Sequence, residues 1–140
     1  IETDRAALEP LAGHAIRSLS YPFGAYNNLV LSTLRSLGVN SARTTKNAWT
    51  PHYLPADPVK WHPTCHHTGA LTFAQPFADQ TEERMSLLYI WGHSYELDNG
   101  YADKSWDYMS SLCAILGDRG DVWYAGVTEV ADYVAAIRAL

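Results

Sequence analysis

Two segments of strand character bracket a stripe at helical spacing, and this restricts the fold more than any other feature of the chain. Residues 15–21 alternate apolar and polar side chains and run into Pro22 and Gly24, which reads as a strand and its turn. Tyr26, Val30, Leu34 and Leu37 then recur at the 3.6-residue period, with Gly38 behind them. That pattern predicts a helix over residues 26–37 with a glycine stop. Residues 39–44 return to strand character. Residues 85–91 are a mostly apolar run that predicts a strand buried on both faces. Trp106, Met109, Leu112, Cys113 and Leu116 set the inner face of a helix over residues 104–116, ended by Gly117. Residues 121–126 read as another short strand. Thr128 opens a final helix that turns Val130, Val134 and Ile137 inward. At the front, residues 3–12 predict a short helix with Thr3 as N-cap and Gly13 as stop, and Pro10 argues for an early end. Strands alternating with helices predict an α/β fold of mostly parallel strands joined by helical crossovers. A doubly wound sheet and part of a (β/α) barrel both satisfy it.

In either architecture, sites gather where strands end at their carboxyl side. "YPFG", "GHSYE" and "AGVTE" each follow a predicted strand, and residues 44–69 follow another. Those residues hold Pro51, Pro55, Pro58 and Pro63 and predict a long proline-rich loop, a kind of loop that usually carries function or is disordered. All four connections are expected on one rim.

Two connections contain chemistry-bearing side chains. "LLYIWGHSYELD" ends an apolar run at Gly92 and then presents His93, Ser94, Tyr95 and Glu96. An imidazole so placed can exchange protons near neutral pH, or it can simply bond a loop carbonyl. Glu96 and Asp98 are near enough to orient His93 or raise its pKa, and equally suited to be solvated charges. "WHPTCHH" holds His62, Cys65, His66 and His67 in six positions, all zinc-type donors. No second ligand cluster follows at zinc-finger spacing, and a loop that packs Trp61 and hydrogen-bonds its histidines explains the same residues. The chain has no Gly-x-Ser-x-Gly elbow, phosphate-binding glycine loop or dinucleotide fingerprint.

A net charge of −5 with scattered Lys and Arg gives no footprint for nucleic acid and no basic cluster for anionic lipid. No window is long and apolar enough for a membrane helix. Two cysteines, Cys65 and Cys113, make no disulfide framework. A chain of 140 residues suits one domain. One that opens on Ile1 reads as a processed product, a trimmed chain or a piece of a longer reading frame.

In order and spacing, these segments resemble the carboxyl-terminal part of polysaccharide deacetylases of the NodB-homology type (carbohydrate esterase family 4). "SLSYPFGAYNNLVLSTLRSLGVNSART" is similar to that family's third motif. "DPVKW", residues 57–61, sits where its Asp-x-x-Asp-Trp motif falls. "YIWGHSYE" resembles the last motif, which delivers a histidine, and "DVWYAGVTEVADYV" resembles the closing strand and helix. The likeness spans nearly all 140 residues and implies a single domain built as a partial (β/α) barrel. It also implies metal-dependent hydrolysis of N- or O-acetyl groups on glycans. In the family an Asp and two His hold a divalent metal, usually zinc, and a second Asp is the base.

By resemblance His93 is the catalytic acid that protonates the departing amine. Tyr21, Pro22, Phe23, Gly24, Asp57, Trp61, Trp91 and Glu96 would form the substrate site, with Asp57 or Glu96 tuning His93. The departures are specific. The aspartate pair and the His-x-x-x-His motif that supply base and metal ligands are absent. Ser20 stands where Arg is usual, Lys60 where the second Asp is, and Trp91 where a leucine precedes the histidine. The expectation is therefore a chain with little or no activity and no bound metal. Its four predicted strands are too few to close a barrel, so the open side would be covered by missing sequence or by a second copy in a homodimer.

Two alternatives stand beside it. One is a non-catalytic carbohydrate-binding or structural module using Tyr21, Phe23, Tyr26, Trp49, Tyr53, Trp61, Trp91 and Tyr95. The other is a metal hydrolase of a different kind using His62, Cys65, His66, His67 and His93.

Overall fold

A computed structural model describes residues 1–51, 54–81 and 85–140; Tyr53 lies outside them. The chain mixes helix with short parallel strands, and the described strands form two separate pairs with no closed barrel. Contacts divide it into two compact units.

The first unit comprises Ile1–Thr45, Pro55–Trp61 and Ala125–Leu140. Helix α1 (Glu2–Ala12) ends at Gly13 in the left-handed conformation. Pro10 lies within it without ending it, and Ile1, not Thr3, is its N-cap. Strand β1 (Ser18–Ser20) leads into a 3-10 turn over Pro22–Gly24. Helix α2 (Asn28–Ser36) is opened by the Asn27 side chain, which accepts the Val30 N–H at 2.9 Å. Tyr26 therefore precedes the helix, and Leu31 joins Leu34 on its buried face. Strand β2 (Ser41–Arg43) pairs parallel with β1 in the register Leu19 with Ala42. Leu31, Leu34, Val39, Ala42, Val59 and Tyr21 close the core. The Tyr21 hydroxyl donates to the Val59 carbonyl at 2.7 Å. Trp61 meets the far edge of β2, donating its N–H to Ala42 and accepting from Thr44, each at 2.9 Å. Helix α5 (Val127–Arg138) buries Ala131 and Val134. Its Asp132 takes a fork from Arg17 at 2.9 and 2.6 Å and a bond from Asn40 at 2.9 Å.

The second unit comprises Lys46–Leu54 and His62–Tyr124. Its strands are β3 (Cys65–His66) and β4 (Ile90–Trp91), parallel, with Cys65 beside Ile90 and His66 beside Trp91. Thr64 sets that register: its N–H donates to the Tyr89 carbonyl at 2.8 Å, and its hydroxyl accepts the Tyr89 N–H at 3.0 Å. Helix α3 (Ala70–Ala78) buries Ala70, Ala74 and Ala78, spaced four apart. That small-residue face packs with Leu112 of α4 (Trp106–Leu116), and Met109, Ile115 and Leu116 close around it. The Tyr108 hydroxyl joins the two helices, accepting from the Leu71 N–H at 3.2 Å and donating to the Thr68 carbonyl at 3.1 Å.

Several expectations are corrected here. Residues 85–91 are not one buried strand: only Ile90–Trp91 pair, and Met85 is half exposed. Residues 44–69 are not a plain loop, because β3 and 3-10 turns at Pro58–Lys60 and His67–Gly69 lie within them. Residues 121–126 form no strand. Tyr124 folds that segment back on the end of α4, donating to the Leu116 carbonyl and accepting the Arg119 N–H. On α4, Trp106 and Cys113 are exposed rather than inward. No described helix is long and apolar enough to cross a membrane.

Candidate functional site

Parallel pairing makes the carboxyl ends of β3 and β4 neighbours, and the sequence puts His66–His67 at one end and Trp91–Gly92–His93 at the other. A 3-10 turn begins at His67 and curls the backbone, so successive histidines stay side by side, ring centres 4.3 Å apart. Beyond β4, the chain enters a 3-10 turn over Ser94–Asn99. Glu96 caps that turn by accepting the His93 backbone N–H at 3.3 Å. The cap aims the carboxylate back at the end of β3. There Oε2 lies 3.0 Å from His66 Nε2 and 3.7 Å from His67 Nδ1.

The surroundings fix each ring. His66 Nδ1 meets the Thr68 hydroxyl at 3.2 Å. The Trp91 indole stands edge-on to His66 at 4.7 Å and is held by donating Nε1–H to Asn47 Oδ1 at 2.9 Å. His67 is 2% exposed, and its Nε2 has no hydrogen-bond partner among the described residues. Gly92 leans on the same ring, so closely that a Cβ there would fall 2.0 Å from His67 Nδ1. A cavity of about 320 Å³ opens beside it, lined by His67, Trp91, His93, Leu97, Trp106 and Met109 among others. The Trp106 indole is steadied by Asp98, to which it donates at 2.8 Å.

Electrostatics keep the pieces distinct. Burial, with the neighbouring His66 charge adding to it, pushes His67 below the usual imidazole range despite Glu96 and Asp103. One of its ring nitrogens, Nε2, is buried with no partner among the described residues. Burial alone would raise Glu96, but His66, the His93 amide and His67 outweigh it and hold the carboxyl below its ordinary value. Burial, helped by Lys46, lowers His62.

The predicted residues fare differently. His66, His67 and Glu96 come together as one group able to hold an ion, while His62 and Cys65 join no such group among the described residues. Cys65 is fully buried within β3 and its thiol is pushed up to about 11 by burial. His93 is exposed at the cavity edge, its ring stacked on Tyr95 at 5.1 Å and edge-on to Trp91 at 5.9 Å. Glu96 meets the backbone of His93 and the ring of His66, so the imidazole it orients is His66.

The remaining predicted residues belong to the first unit. Tyr21 and Trp61 are core, at 2% and 1% exposed. Asp57 is held by Arg35 at 2.6 Å and Lys60 at 3.5 Å. Pro22 opens the 3-10 turn, and Phe23 projects fully exposed at φ 54°. Gly24 sits at φ 71° against the Thr45 hydroxyl, where a side chain would not fit. Thr68, Asn47 and Trp106 were not among the predicted site residues. Only Trp106 carried a signal, and it pointed to the core. No protein-family model, no curated protein and no solved structure matches the chain.

Proposed function

We propose that this chain is a NodB-type, polysaccharide deacetylase-like domain, residues 1–140 forming one incomplete barrel, that works on acetylated glycan at the mouth formed by the ends of β3 and β4. The observation that carries this is a hydrogen-bonded His66–Glu96 pair beside a buried His67 that lines an aromatic-walled cavity. Hydrolysis of an acetamide or acetyl ester needs a polar centre to polarise the carbonyl and water, and a proton donor for the departing group. The His66–His67–Glu96 group supplies the first. His93, exposed to solvent at the cavity edge, supplies the second. Trp91 and Trp106 offer faces on which sugar rings stack.

The family's own ligand set, an Asp and two His from motifs absent here, is replaced by donors of the same chemical class. A divalent metal held by His66, His67 and Glu96 would contribute Lewis acidity toward the carbonyl. The expected activity is low and depends on His93. Acetate release from acetylated chitooligosaccharides should fall roughly 10²–10⁴-fold in His93→Ala. Glycan binding by calorimetry with no acetate released by the native chain would replace this with a carbohydrate-binding module. Acetate release unchanged by His93→Ala would remove His93 from the chemistry.

A further inference from the structure

We infer that His66 Nε2, His67 Nδ1 and Glu96 Oε2 form a binding site for one divalent ion of the zinc class, with a coordination position left open toward the cavity. The inference deepens the hydrolase proposal and rests on it only for what the ion would do. The binding itself stands on the donor geometry.

Zinc bonds to nitrogen and oxygen of roughly 2.0–2.1 Å at tetrahedral angles place adjacent donors about 3.3 Å apart. Glu96 Oε2 lies 3.0 Å from His66 Nε2 and 3.7 Å from His67 Nδ1, on either side of that value. All three donor atoms lie within 4.8 Å of one another. Three protein donors from two imidazoles and a carboxylate are the pattern of zinc sites that keep a fourth position for water or substrate.

A plain ion pair accounts for only part of this. His66 and Glu96 satisfy each other at 3.0 Å. His67 does not share in that bond: at 3.7 Å its Nδ1 is too far from the carboxylate to be hydrogen-bonded. Its other nitrogen is buried without a partner among the described residues. The ring is fixed in place, since a Cβ at Gly92 would fall 2.0 Å from Nδ1, and Nδ1 faces the carboxylate without a hydrogen bond to it. A cation between them gives Nδ1 a ligand and draws the carboxylate and both rings to one centre. Support around the donors is of the kind metal sites carry. Thr68 fixes His66 through Nδ1, leaving Nε2 for the ion, and the His93 amide fixes Glu96.

The test is zinc binding by the whole chain, measured without substrate. Protein stripped with chelator is titrated with zinc chloride by calorimetry against a competing chelator. One equivalent should bind. Glu96→Gln and His66→Gln, each checked for native near-ultraviolet circular dichroism, should weaken binding roughly 10–100-fold or more. His62→Ala should bind as the native chain does. X-ray absorption of the zinc-loaded native chain should show imidazole shells and no sulfur, which separates this site from one using Cys65 and needs no variant. No binding by the native chain, binding unchanged by Glu96→Gln, or sulfur in the first shell would overturn the site. Acetate release is read separately. Zinc bound with no turnover on any acetylated glycan refutes the hydrolase proposal and leaves the site, whereas turnover by a chain that binds no zinc refutes the site and leaves the hydrolase.

Discussion

Gly92 is the position where a single methyl group interrogates the whole site. The residue is not in the left-handed region, so backbone strain is not the issue; space is. A Cβ built there falls 2.0 Å from His67 Nδ1, 2.9 Å from Cγ and 3.1 Å from Cε1. Ordinary contact begins near 3.4 Å, so the ring must retreat by about 1.4 Å. His67 is 2% exposed, so its displacement disturbs the packing around it. Forcing extra volume into such packing costs typically 1–3 kcal/mol. For a chain of this length that is a fall in melting temperature of roughly 3–9 °C. The same displacement pulls Nδ1 out of register with Glu96, so zinc affinity should fall together with stability. Gly120→Ala is the control, because nothing lies within 4 Å of its Cβ position and its φ is unremarkable; it should be neutral or slightly stabilising. Thermal unfolding followed by circular dichroism, with zinc titration of the same samples, reads both effects. A Gly92→Ala protein that melts within about 1 °C of the native chain and binds zinc unchanged would refute the close packing of Gly92 on His67.

The two cysteines should separate cleanly. Cys65 is buried with its thiol raised to about 11, and Cys113 is exposed, so a thiol reagent at neutral pH should titrate one group in the native chain and two after denaturation. Fast reaction of both without denaturant would contradict the burial of β3. Asp132 is held below its ordinary carboxyl range, first by the hydrogen bond from Arg17. A depressed folded-state value stabilises above the unfolded pKa and is lost as pH falls through the folded one. Asp132→Asn should therefore flatten the acid limb of a stability–pH curve below about pH 4, with a small, salt-reduced effect at pH 7 because both partners are half exposed. An unchanged acid limb would show that the fork does not hold in solution.

The elements legible in the sequence are those whose burial is carried by large side chains at one period. α2, α4 and α5 announce themselves through Leu34, Leu112 and Val134, and glycine marks the ends of α1 and α4. α3 does not, because its buried face is Ala70, Ala74 and Ala78 and it carries Pro76 inside. Small residues hardly register in a stripe, although they are what lets α4 approach. β3 is two residues long and is specified by Thr64 reaching Tyr89, a contact 25 positions away. Conversely, the apolar run in residues 121–126 promises a strand, but Trp123 and Tyr124 are more than half exposed. Strand-like composition predicts a face to bury and cannot say whether a neighbouring strand exists to bury it.

The site shows the same division between composition and pairing. His66, His67, Glu96 and His93 were all visible as candidates, and none of their partnerships was. Glu96 sits three residues from His93 and thirty from His66, so proximity in sequence assigns it to the wrong imidazole. The cap decides otherwise: by accepting the His93 N–H, Glu96 is bent back over the strand end, where the β3–β4 register has already set His66 beside Trp91. That register also explains why His67 is the informative residue. A binding surface for sugars would need only the exposed rings of Trp106, Tyr95 and His93. It would have no use for an imidazole only 2% exposed, packed close to a glycine and with Nε2 unpartnered among the described residues. Loss of zinc affinity in Glu96→Gln, read together with acetate release by the native chain, is therefore what separates a hydrolytic centre from a glycan-stacking scaffold.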